Sequence, residues 1–331
     1  MQVGRYAKCA LRIALTVAAV ILVLELAPLR EISTHLASTE LSWLWAALFL
    51  QVLIRVITAA RMQLLAHFQR LSLSFWVMLR IVLATAFYGL FLPGGIAGGA
   101  VTFVKYRQYG AGGAAALTNV VVNKAIAALT IGFLTCTAWL ADFVRSQDAT
   151  SPALNSLIAL LSLLTLLLLP FLLKTGINAF GLAPRLQHRY ANGHGRFSRA
   201  AGALLSQMQI LNDLGWRQTF VLIFAGCAAH VIGAAGMLFF GLALGLSIDL
   251  ISVMWIYGMV FLLALLPISF ANVGVREASM ILLLAPFGIG AAEATAWSVL
   301  MYSGPLAAAL AGALLEATAF ADSPLPIRRD Q

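Results

Sequence analysis

Hydrophobic positions run along this chain in long blocks, at about 9–29, 41–60, 114–141, 153–173, 218–246 and 294–316. Each approaches or exceeds the roughly 20 residues that a helix needs to cross a bilayer. Two further blocks, 75–92 and 250–266, stop at Pro93 and Pro267. At about 1.5 Å per residue they are short for a full crossing. Gly94, Gly95, Gly98 and Gly99 follow the first proline; Ser269, Asn272, Gly274, Arg276 and Glu277 follow the second. A gapless alignment sets Leu92-Pro93 and Gly98 opposite Leu266-Pro267 and Asn272. Polar backbone and adjacent charges at membrane depth are tolerated only where protein or a water-filled cavity receives them. Two broken apolar segments in corresponding halves point to a binding site at the interface of two repeats. The expected fold is all-α: a polytopic integral membrane bundle with two inverted, proline- and glycine-broken, re-entrant-like units. It is expected to form one transmembrane domain over 1–331. A first half spans about 1–173, a basic loop 174–217, and a second half 218–316.

Composition supports the membrane reading. Of 331 residues 62% are hydrophobic and 10% charged, against about 25% charged in soluble domains; mean hydropathy is +0.94. The net charge of +9 comes without a basic domain or an aromatic-interleaved basic stripe, so a nucleic-acid partner is not expected. Its distribution predicts topology instead. If each broken unit makes two passages or none, Arg5, Lys8, Arg61, Arg70, Lys105, Arg107, loop 174–217 and Arg328-Arg329 share a side. The other side keeps Arg30 and Arg145 beside Glu31, Glu40, Asp142, Asp148 and Asp249. The positive-inside rule then places both termini in the cytoplasm. The basic start continues as an apolar run to about Pro28, too long for a signal-peptide core, and reads as an uncleaved first span. Within the loop, 198–213 has the spacing of a helix lying on the membrane surface. Cys9, Cys136 and Cys227 lie apart in apolar stretches, which disfavours disulfides and metal ligation.

Candidate substrate-binding residues follow from charge at depth. Arg276 stands near a helix start, where free N–H groups and the helix dipole favour an anion. Ser269 and Asn272 supply hydrogen bonds there; Glu277 binds a cation or proton, or neutralises Arg276. Gly94, Gly95 and Gly98 offer backbone donors, and Gly274 opens the helix. Arg55, Arg80 and Lys124 are candidates to line a basic cavity. The bland readings are an Arg276 stapled internally, glycines that only pack helices, and Lys105 and Arg107 that snorkel. No H-E-x-x-H, Walker or G-x-S-x-G pattern occurs, so neither cofactor, metal site nor catalytic residue is expected.

ARMQLL with Arg61, LPGGIAGG at 92–99, LPISFANVGVREASMILLL at 266–284 and GIGAAEATA at 288–296 together resemble the flippase-like membrane domain of lysylphosphatidylglycerol synthases. That family includes hopanoid-associated members. Departures stand beside the match: where the family pattern has an acidic residue and then an arginine, this chain has Gly99 and Thr102. The acidic–Arg pair of the following span is here Asn123-Lys124. The resemblance implies a lipid transporter of flippase or scramblase type in the cytoplasmic membrane, its partner a lipid with an anionic headgroup. Two alternatives stay open: a non-transporting accessory protein beside an enzyme of envelope-lipid or hopanoid synthesis, and an intramembrane enzyme on lipid phosphates.

Overall fold

In the computed structural model of the chain, the residues described are 21–91, 95–146, 168, 169, 171, 175, 215–264 and 273–321. Their regular structure is helical, without strands. In chain order the helices are α1 (Leu29–Ala37), α2 (Leu41–Phe68), α3 (Phe75–Phe91), α4 (Gly95–Gln108) and α5 (Gly113–Ser146). They continue with α6 (Trp216–Ala243), α7 (Leu250–Ala264), α8 (Val275–Leu284), α9 (Ala291–Met301) and α10 (Ser303–Ala321). The protein is thus an all-α membrane bundle.

Among the described residues, four segments are long and apolar enough to cross: Leu41–Phe68, Gly113–Arg145, Trp216–Ala243 and, across α9 and α10, Ala291–Thr318. The helix over the 41–60 block runs on to Phe68 because its polar end finds partners: Arg61 and Gln69 both bond to α5. The last span is interrupted at Tyr302, where Pro305 has no N–H to give the Met301 carbonyl. α3 and α7, at 17 and 15 residues, are the short apolar helices. The blocks 9–29 and 153–173 fall largely outside the described residues, as do loop 174–217 and both termini. So do the two breaks, at 92–94 and 265–272, and with them Pro93, Gly94, Pro267, Ser269 and Asn272.

Two ends of the bundle are defined by their contacts. At the far end the Glu40 N–H before α2 donates to the Ala243 carbonyl closing α6 (2.7 Å), and Arg145 of α5 pairs with Asp249 before α7 (3.2 Å). At the near end Gln69 donates to the Ala115 carbonyl (3.1 Å), while Leu65, Val122 and Leu222 share one cluster. Both α3 and α4 have their outer ends, Phe75 and Gln108, at the near end, where Tyr106 reaches Met78 and Asn119. The other short pair sits at the opposite end, since α7 starts beside Arg145 and Phe287 after α8 comes back against Trp255 (6.3 Å between rings).

Small residues let the helices meet. A Cβ on Gly312 of α10 would lie 2.2 Å from the Leu83 carbonyl oxygen of α3. Gly241 of α6 receives the Trp297 ring, whose Nε1 donates to the Met237 carbonyl (2.8 Å). In lipid, where apolar contact alone gives no preference for protein over solvent, close packing of this kind drives association. The outward surface is correspondingly apolar: Trp45, Phe49, Phe224, Leu282 and Leu314 are all exposed.

Candidate functional site

The stripe of α2 that faces inward repeats at helical spacing: Gln51, Arg55, Thr58 and Arg61 follow one another at three or four residues. Opposite it, α5 presents Asn119, Asn123 and Lys124. α3 and α4 bring Thr85, Gly98 and Thr102, α7 brings Tyr257, and the α9–α10 break brings Tyr302. These elements enclose a cavity of about 600 Å³, a volume ordinary for a small-molecule site. Arg55 stands halfway along the 28 residues of α2, about 21 Å from its start at 1.5 Å per residue. The cavity is therefore at mid-bundle depth.

Its wall is basic. Arg55, Arg61, Lys124 and Arg276 line it, and no carboxylate does among the described residues. Arg61 donates from Nε to Asn123 Oδ1 (3.1 Å), and the Asn123 amide donates in turn to Asn119 Oδ1 (2.8 Å). Asn119 then donates to Gln69 Oε1 (3.1 Å) and accepts the Tyr106 hydroxyl (2.8 Å). This chain of amides runs from the cavity towards the near end and fixes the Arg61 side chain. Arg55 differs: its buried Nε has no hydrogen-bond partner among the described residues. Lys124 likewise has no carboxylate partner among them.

Arg276 is held by its own chain. Nε donates to Ser298 Oγ (2.9 Å) and Nη2 to the Ser298 carbonyl (2.7 Å). Its guanidinium lies over the Tyr302 ring, 3.4 Å from the centroid, and Nη2 stands 3.5 Å from Glu277. Glu277 is buried at 6% exposure and does three jobs. It accepts the Gly274 N–H at the start of α8 (2.6 Å) and the Ser298 hydroxyl (2.9 Å), and it offsets the charge of Arg276. Gly274 has φ +82°, a left-handed conformation in which a side chain would be strained.

The residues singled out from the sequence thus fall into groups. Arg55, Lys124, Gly98 and Arg276 come together at the cavity. Gly274 and Glu277 stand behind it at the start of α8, and Gly95 opens α4. Arg80 is a correction: it is exposed on α3, near that helix's outer end, and does not line the cavity. Lys105 pairs with Glu316 of α10, whose carboxylate also accepts the Tyr88 hydroxyl. Sequence reasoning missed Arg61 as a cavity residue, together with Asn119, Tyr257, Tyr302 and Ser298. For Arg61 a signal existed in its helical register with Arg55 and Thr58; for the others only tertiary contacts give the answer.

No curated protein matches the sequence. With this all-helical frame around a basic cavity, and with the family model described as "Lysylphosphatidylglycerol synthase TM region" matching residues 9–304, the chain belongs to that family of membrane regions.

Proposed function

We propose that this protein moves an anionic lipid, or a lipid-linked intermediate, between leaflets. The headgroup enters the basic cavity while the tails stay in surrounding lipid. One observation carries the reading: four cationic side chains line a mid-bundle cavity with no lining carboxylate among the described residues. Charges at that depth are costly and mark pathways or binding sites. The arrangement of the short helix pairs supports it. α3–α4 is anchored at the near end and α7–α8 at the far end, the relation expected of inverted units that give alternating access. The near end, with Arg70, Lys105, Arg107 and Arg217, is the cytoplasmic one in this reading. Arg55 and Lys124 are the headgroup contacts, with Arg276 a preset wall. Glu277 is a poor general base because Gly274, Ser298 and Arg276 already occupy it, so the reading includes no chemical step.

The test is leaflet exchange of headgroup-labelled anionic lipids in liposomes. Wild type is expected to exchange them, and Arg55→Ala to do so at least tenfold more slowly with an unchanged melting temperature. Failure of the wild type to move any lipid of a broad panel would sink the transport reading and favour an accessory role.

A further inference from the structure

Among the described residues the charges that line the cavity do not balance, and the imbalance has a size. Of the four lining cations, Arg276 is offset by Glu277 at 3.5 Å. The other ion pairs among the described residues join Lys105 to Glu316 and Arg145 to Asp249, away from the cavity. Arg55, Arg61 and Lys124 therefore face it without an anionic partner among those residues. Two guanidiniums, which stay protonated in proteins, and one ammonium thus have no carboxylate opposite them among the described residues. A phosphodiester headgroup brings one negative charge. A phosphomonoester brings about 1.5 to 2 at pH 7, and a diphosphate ester is likewise more than singly charged.

We propose that the cavity is built for a lipid headgroup carrying close to two negative charges or more, a phosphomonoester or diphosphate ester, in preference to a monoanionic phosphodiester. This rests on the transport reading for the lipid but not for the charge. Arg61 suits such a ligand: Asn123 takes its Nε–H and leaves the terminal nitrogens of its planar fork for two phosphate oxygens. Arg55 adds an Nε–H that has no other described partner.

Binding to the purified full-length chain in detergent tests this. Two lipid probes with identical tails are compared, one ending in a phosphomonoester and one in a phosphoglycerol diester, with inorganic phosphate and pyrophosphate as soluble competitors. At pH 7.5 the monoester is expected to bind at least tenfold tighter. The ratio is expected to shrink towards one at pH 5, where the second phosphate proton returns. Arg55→Gln and Lys124→Gln should each reduce the ratio at least threefold, while Arg145→Gln, at the far end, leaves it unchanged. If one cavity variant does not fold, the other and the pH series still decide. Equal affinity for both lipids at pH 7.5, or a ratio that neither cavity variant alters, overturns the proposal. Soluble phosphate or pyrophosphate binding as tightly as the lipid overturns its lipid part and assigns the cavity to a free anion. Leaflet exchange is read separately: tight monoester binding without exchange removes the transport reading alone, and exchange without monoester preference removes this one alone.

Discussion

Arg276 and Arg55 are both arginines at membrane depth in the sequence, the first beside Glu277 and the second alone in an apolar run, and their surroundings assign them opposite roles. Arg276 is fixed by Ser298, Glu277 and Tyr302; Arg55 keeps a donor unused among the described residues. Removing the acid from a buried pair leaves an uncompensated charge, which costs about 3 kcal/mol. Glu277→Gln is thus expected to lower the melting temperature clearly in detergent, whereas Arg55→Gln leaves it near wild type. Equal melting temperatures in the two variants would refute the distinction. At this scale the sequence announced which residues carry charge at depth but not which way they point. Arg80 lies outside the cavity because of its angular position on α3, and Arg61 was passed over although three or four residues separate each member of its stripe. Asn119 and Ser298 are ordinary polar residues until the fold sets Gln69 and Arg276 beside them.

Elements were more legible than side chains, because block length and punctuation govern them. The spans at 41–68, 113–145 and 216–243 grew from blocks already visible, and in the last span of the chain the structure puts a break at Tyr302, before Pro305. Their packing was not visible, since it depends on which small residue meets which backbone. Gly312→Leu is expected to separate α10 from α3 and to cost at least about 2 kcal/mol, because the obstacle is the Leu83 carbonyl and not a flexible side chain. A melting temperature equal to wild type would contradict that contact. The start of α7 carries a pH signature. Asp249 caps it, accepting the Ile251 (2.9 Å) and Ser252 (3.4 Å) N–H groups. Partial burial pushes its carboxyl up, but the Ser252 hydroxyl, the two N–H groups and Arg145 together hold it below its ordinary value of 3.8. A depressed folded-state value means that the cap's contribution is present above pH 3.8 and fades as pH falls through that lower value. Asp249→Ala should cost about 1 kcal/mol at neutral pH and less at pH 3; an equal cost at both would be inconsistent with a charged cap.

At the scale of the whole molecule, composition alone identified a membrane bundle, since too few charges exist to clothe a soluble surface. The meeting of α2 and α5 across one cavity was not readable in that way, because Arg55 and Lys124 are 69 positions apart and no repeat links them. The absence of carboxylates from the described cavity wall has a further consequence for how such a protein coexists with an energised membrane. If the cavity opens as a passage for a headgroup, as the transport reading has it, it is also wide enough for hydronium and sodium ions. An uncompensated positive lining raises an electrostatic barrier to both, as an arginine does in water-selective pores. Liposomes carrying the protein are therefore expected to hold an imposed proton gradient as long as empty ones, and Arg55→Glu to make them leak. In the transport reading, the charge that would receive the headgroup would also keep small cations out of the bilayer during its passage.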